Sequence, residues 1–163
     1  GRLGGYTQIS PDEDVLTSGL ISKKLLLNKI EISLAGRAAE ILVFGKNEIT
    51  QLASRDIAYS TEIAKEMITK YGFSSIGPVN ISQDNEDIFL GSSLIRNKST
   101  IADKTSLQID NEIMKIAKNS LNKSFKILER NRILLDKLVE LLIHEETVNK
   151  EKFIELASKF LNV

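Results

Sequence analysis

Cysteine is absent from the 163 residues, which excludes disulfide frameworks, thiolate nucleophiles, thiolate metal ligands and thiol redox chemistry. An excess of charge of either sign is missing as well. Lysine plus arginine and aspartate plus glutamate number 22 each and interleave along the chain. No basic face is therefore expected for a phosphate backbone or an anionic lipid surface, and nucleic acid is not expected as a partner. No apolar run approaches the roughly 20 residues of a membrane-crossing helix, and no basic stretch leads into an apolar one at the start. Any membrane anchor is expected outside these residues. There is no phosphate loop of the form GxxxxGK(S/T), no internal repeat and no low-complexity tract. Histidine occurs once, at His144. HEETV is not the zinc motif HExxH, because Val148 stands where the second histidine is required. The place of His144 after Leu141-Leu142-Ile143 suits a cation at a helix C-terminus or a surface residue. Glu145 and Glu146, being sequence neighbours, do not face one another on a helix and read as a solvated turn.

Hydrophobic residues make up 42% of the sequence, enough for one well-buried domain spanning residues 1–163. The fold class expected is mainly α, a helical bundle with a short N-terminal strand region. The first ten or so residues, with alternating Tyr6, Gln8 and Ile9 before Pro11, read as a short strand entering a polar turn. Ser22 is placed to cap a helix reaching Phe44, with Leu26, Ile30, Leu34, Ala38 and Ile41 on one stripe, Leu27 and Phe44 widening it, and Gly45 as a left-handed C-terminal cap. Gly36 inside that helix costs on the order of 1 kcal/mol against alanine, which predicts a backbone crossing close by. A second helix starts near Ser54, spaces Ile57, Ala64, Met67, Ile68 and Tyr71 for burial, and ends at Gly72. Residues 73–98 read as loop-rich, with a hairpin-like excursion over Val79 to Leu90. Ser99 or Thr100 caps a long helix with the stripe Ile109, Ile113, Ile116, Ala117 and Ile127, which Ser120 and Ser124 interrupt. Another helix carries Leu134, Leu135, Leu138, Leu141 and Leu142. Asn149 caps a last one with Phe153, Leu156, Ala157 and Phe160.

One residue stands out chemically. Asp56 falls in the first turn of the second helix, where the positive end of the helix dipole keeps a carboxylate ionised, and an ionised carboxylate suits a metal. Acidic residues are common in the first turn of any helix because they offset its dipole, and that plain role is the one the residue pattern alone favours. Arg37 and Glu40, three apart on a helix, suit an ion pair or a contact with a neighbouring chain.

Two segments, SLAGRAAEILVFG from Ser33 to Gly45 and DIAYSTEIAKEMITKYGFSSIGPV from Asp56 to Val79, resemble the proteolytic domain of the FtsH family of membrane-anchored ATPase proteases. The likeness continues through Phe89-Leu90-Gly91, Ile109-Asp110-Asn111-Glu112 and Glu145-Glu146-Thr147. It implies that Asp56 is the third zinc ligand, after two histidines of an upstream HExxH whose glutamate is the general base. It implies further that Gly5-Tyr6-Thr7 is a cleft-side strand whose unpaired edge binds extended substrate. From the resemblance also follow zinc and, in an upstream ATPase domain, ATP; unfolded or membrane protein substrates; a homo- or hetero-hexameric ring; and an anchor in a bacterial inner membrane or a plastid thylakoid membrane. Without HExxH the chain by itself is expected to hydrolyse no peptide. One departure bears on Asp56. Thr50-Gln51-Leu52-Ala53 stands where the family has Thr-Thr-Gly-Ala, and leucine resists the positive backbone dihedrals open to glycine. The parent protein is therefore expected to be an active zinc endopeptidase or, if the turn is disturbed, an inactive family member serving structurally in a mixed ring.

Overall fold

A computed structural model describes residues 7, 19–78 and 103–161. Among them are five α-helices, one 3₁₀ turn and no strand, so the described part of the chain is mainly α as expected. Of the strand residues expected at the N-terminus only Thr7 is described, exposed and outside any element. Gly5, Tyr6, the excursion over Val79 to Leu90 and the caps Ser99 and Thr100 lie outside the described residues.

Helix α1 (Lys23–Phe44) starts where the Ser22 hydroxyl accepts the Leu25 N–H at 3.1 Å, satisfying one of the free donors at the helix start. Leu26, Ile30, Leu34 and Ala38 are buried along one stripe. Ile41 is only half-buried, and Phe44 is 64% exposed, so it does not widen that stripe. Gly45 closes the helix with φ 86° and ψ 166°. This is a glycine-only conformation rather than the left-handed helical one expected.

Helix α2 (Ser54–Thr69) buries Ile63, Ala64, Met67 and Ile68. Ile57 and Tyr71, expected inside, are exposed. The helix ends in a reversal in which the Phe73 N–H donates to the Met67 carbonyl at 2.7 Å while Gly72 takes φ 64°, a left-handed residue of the kind glycine supplies at helix ends. The backbone then folds back so tightly that a Cβ on Gly72 would lie 2.7 Å from the Pro78 Cα. Gly36 behaves otherwise: a Cβ there would meet nothing within 4 Å, and the residue faces solvent. The crossing backbone expected from its sequence position is not there.

Helix α3 (Asp103–Arg130) lies against both. Ile113, Ile116 and Leu121 pack onto a core of Leu26, Ile30, Leu34, Ile63, Ala64 and Met67. Ile127 is 48% exposed and outside the stripe. Ser120 and Ser124 do not interrupt the packing. Both are buried, and Ser124 Oγ lies 2.7 Å from the Glu31 carbonyl and 3.0 Å from that of Ser120. Small side chains let α1 approach α3 closely, and the Ser124 hydroxyl stays bonded at the contact. Lys123 Nζ adds an ion pair to Glu31 at 2.9 Å across the same contact.

Helices α4 (Arg132–Glu145) and α5 (Lys150–Phe160) form a separate hairpin. Asn149 caps α5 through the Lys152 N–H at 3.0 Å, as its sequence position predicts. Among the described elements α5 packs only on α4, and none of its residues is buried. Of the leucines expected inside α4, only Leu134 is buried.

Candidate functional site

The turn that leads into α2 governs where Asp56 points. After Gly45 the chain turns, the Glu48 N–H donating to the Gly45 carbonyl at 3.3 Å, and reaches Thr50 (φ −113°, ψ 176°), whose hydroxyl accepts the Leu52 N–H at 3.3 Å. That bond closes the single 3₁₀ turn Gln51–Ala53, and the Ser54 N–H donates to the Gln51 carbonyl at its end. Leu52 fits this turn. Among the described residues only Glu146 of the non-glycines has a positive φ, so leucine needs no forbidden dihedral here. The Leu52 side chain projects outward, 80% exposed.

Asp56 follows in the first turn of α2. Ala53, at the helix N-cap, has no side chain that bonds into the helix, so the free N–H groups and the dipole leave a positive field at this end. Asp56 is exposed, and no hydrogen bond or ion pair engages it among the described residues. A carboxylate held at a helix start with its lone pairs unengaged fits one position of a zinc ligand set. The other ligands are not supplied here: among the described residues no three His, Cys, Asp or Glu side chains converge. His144 lies exposed in the last turn of α4. Glu145 is paired with Lys152, and Glu146 caps α4 in a left-handed conformation at φ 59°.

Arg37 and Glu40 do more than pair with one another. Their side chains are 13% and 15% exposed, with Arg37 Nη1 3.4 Å from Glu40 Oε2. Arg37 Nη2 also donates to the Thr50 carbonyl at 2.8 Å, and the Thr50 hydroxyl donates to Glu40 Oε1 at 2.5 Å. Among the described residues Glu40 Oε2 is buried and accepts no hydrogen bond, and the charge facing it is the Arg37 guanidinium. Sequence reasoning missed Thr50. A threonine just before a helix is a recognisable turn former, but nothing local names Arg37 and Glu40 as its partners.

The profile of peptidase family M41 matches residues 1–156. The chain is 35% identical over 153 residues to an "ATP-dependent zinc metalloprotease FtsH 3" of Synechocystis sp., covering 93% of this chain and 25% of that protein. It is 38% identical over 157 residues to an "ATP-dependent zinc metalloprotease FtsH" of Chloroflexus aggregans, covering 96% and 24%. A protein of the same name from Mycoplasmopsis pulmonis is 38% identical over 152 residues, covering 93% and 20%. The chain thus spans about a quarter or less of the length of these curated relatives.

Proposed function

The chain belongs to peptidase family M41, and on that premise we propose that it forms part of the proteolytic domain of an ATP-dependent zinc metalloendopeptidase, with Asp56 as a zinc ligand. The observation that carries this reading is the state of Asp56: exposed, unengaged and in the first turn of α2. The two remaining protein ligands, and the glutamate that acts as base, come from an HExxH upstream of these residues. Zinc in such a set supplies Lewis-acid activation of water for peptide hydrolysis. The residues Gly5-Tyr6-Thr7 bind extended substrate through their backbone, which suits unfolded and membrane proteins of varied sequence.

The full-length protein carries its ATPase and its membrane anchor in other segments. No helix among the described residues is long and apolar enough to cross a membrane. We place the protein in a hexameric ring. In support, Ile133, Ile143, Phe153 and Ile154 of the α4–α5 hairpin are all at least 43% exposed, an apolar surface that subunit contacts would cover. An inactive subunit of a mixed ring was the alternative if Leu52 disturbed the turn. The ordinary backbone at Leu52 favours the active enzyme.

The test is Asp56→Asn in the full-length protein. Asparagine is accepted at a helix start, so melting should shift by no more than about 1 kcal/mol in stability. Zinc content and casein cleavage should collapse while ATP hydrolysis persists. Equal metal and equal cleavage would show that Asp56 serves only the helix dipole.

A further inference from the structure

Among the described residues, none packs closely on the first turns of α2. Residues 54–59 are all exposed, and burial resumes only at Ser60. The nearest anchors are the buried Ala53 and the network around Thr50 just ahead of it. A metal ligand must be fixed to within about 0.5 Å and 10–20° by the groups behind it. Partners that orient ligands commonly alter metal affinity by about 10–100-fold when removed.

We propose that Arg37, Glu40 and Thr50 are positioning residues for Asp56: the Arg37–Glu40 pair on α1 grips both the carbonyl and the hydroxyl of Thr50, fixing the 3₁₀ turn that aims the first turn of α2. This rests on the reading of Asp56 as a zinc ligand. The geometry divides the work. Arg37 Nη2 holds the Thr50 carbonyl at 2.8 Å, Glu40 Oε1 receives the Thr50 hydroxyl proton at 2.5 Å, and the same hydroxyl oxygen accepts the Leu52 N–H at 3.3 Å. One side chain on the turn is thus tied to the preceding helix and to the turn's own backbone together. The network also accounts for the two carboxylates having different roles. Glu40 has one oxygen committed to Thr50 and the other buried against Arg37, whereas the Asp56 carboxylate is exposed and unengaged. Each tie spans 10 or 13 residues, so the rigidity of α1 is passed directly to the ligand-bearing helix.

The experiment uses the full-length protein with Thr50→Val, Thr50→Ser and Glu40→Gln, and Asp56→Asn as the reference. Zinc and cobalt affinities are measured by chelator competition, alongside thermal melting and the kcat and KM of peptide cleavage. Thr50→Val keeps the shape but removes the hydroxyl; it should weaken metal binding by about 10–100-fold and lower kcat with KM little changed. Thr50→Ser, which restores the hydroxyl, should bind metal as the wild type does. Glu40→Gln, which retains an acceptor but loses the charge facing Arg37, should fall between them. Should Thr50→Val lower only the melting temperature and leave metal affinity unchanged, the network is merely structural and the proposal is overturned. If Thr50→Val does not fold, the same comparison is made on Glu40→Gln, and wild-type metal affinity there overturns the proposal. Loss of metal in Asp56→Asn with full affinity in Thr50→Val removes the positioning role alone. Full affinity in Asp56→Asn removes the ligand assignment, and the positioning role with it.

Discussion

Two glycines of similar sequence standing have opposite meanings at the residue scale. At Gly72 the φ of 64° and the 2.7 Å approach of a built Cβ to Pro78 Cα leave no room for a side chain. Gly72→Ala should destabilise by more than about 2 kcal/mol, since left-handed strain alone costs about 1–2. Gly36, with helical backbone and open space around it, should do the reverse: Gly36→Ala should stabilise by about 0.5–1 kcal/mol through lost unfolded-state freedom. Urea denaturation of both variants decides the pair, and a destabilised Gly36→Ala would show that something outside the described residues packs there. Glu112 supplies a pH test. Hydrogen bonds from Ser75, with help from Lys115, hold its carboxyl below the ordinary 4.5 against the opposing effect of burial. A carboxyl with a depressed folded-state pKa stabilises the fold above its unfolded pKa and loses that contribution as pH falls through the folded value. Stability should therefore drop below pH 4.5, and Glu112→Gln should flatten that drop in acid denaturation curves.

At the scale of the element, capping explains several of the boundaries. Ser22 and Asn149 close the starts of α1 and α5 with their own side chains, and such caps are visible in sequence because only a few residue types can make them. The end of α4 is closed less favourably. Glu146 takes the left-handed conformation at φ 59°, a place that a β-carbon makes costly and glycine does not. Glu146→Gly should stabilise the protein by up to about 1 kcal/mol, a rise in melting midpoint that calorimetry would detect; a lowered midpoint would mean that the carboxylate does more there than cap.

At the largest scale, the described residues divide into a packed three-helix body and a lightly attached hairpin. Helices α1, α2 and α3 share one core, whereas α5 buries no residue and touches only α4 among the described elements. Local opening is easiest where few apolar contacts must break. Native-state hydrogen exchange should show amides of α1 and α2 opening near the global free energy and those of α5 opening far below it in the isolated domain. Protection of α5 equal to that of α1 would contradict this division.

What the sequence determined by itself was periodic or chemical at short range. The apolar stripe of α1, the caps at Ser22 and Asn149 and the first-turn place of Asp56 all rest on spacings of four residues or fewer, and spacing survives any arrangement of helices. Tertiary structure decided what depends on neighbours distant in the chain. It exposed Phe44, Ile57 and Ile127, which carry the right period but are not covered by any described helix, and it buried Ser120 and Ser124, the hydroxyl of the latter bonded as far away as Glu31 on α1. It also turned Arg37 and Glu40 from a local ion pair into the support of the Thr50 turn. An ion pair three residues apart can be read from a helix alone, but a bond from residue 37 to residue 50 exists only once the chain has folded back upon itself.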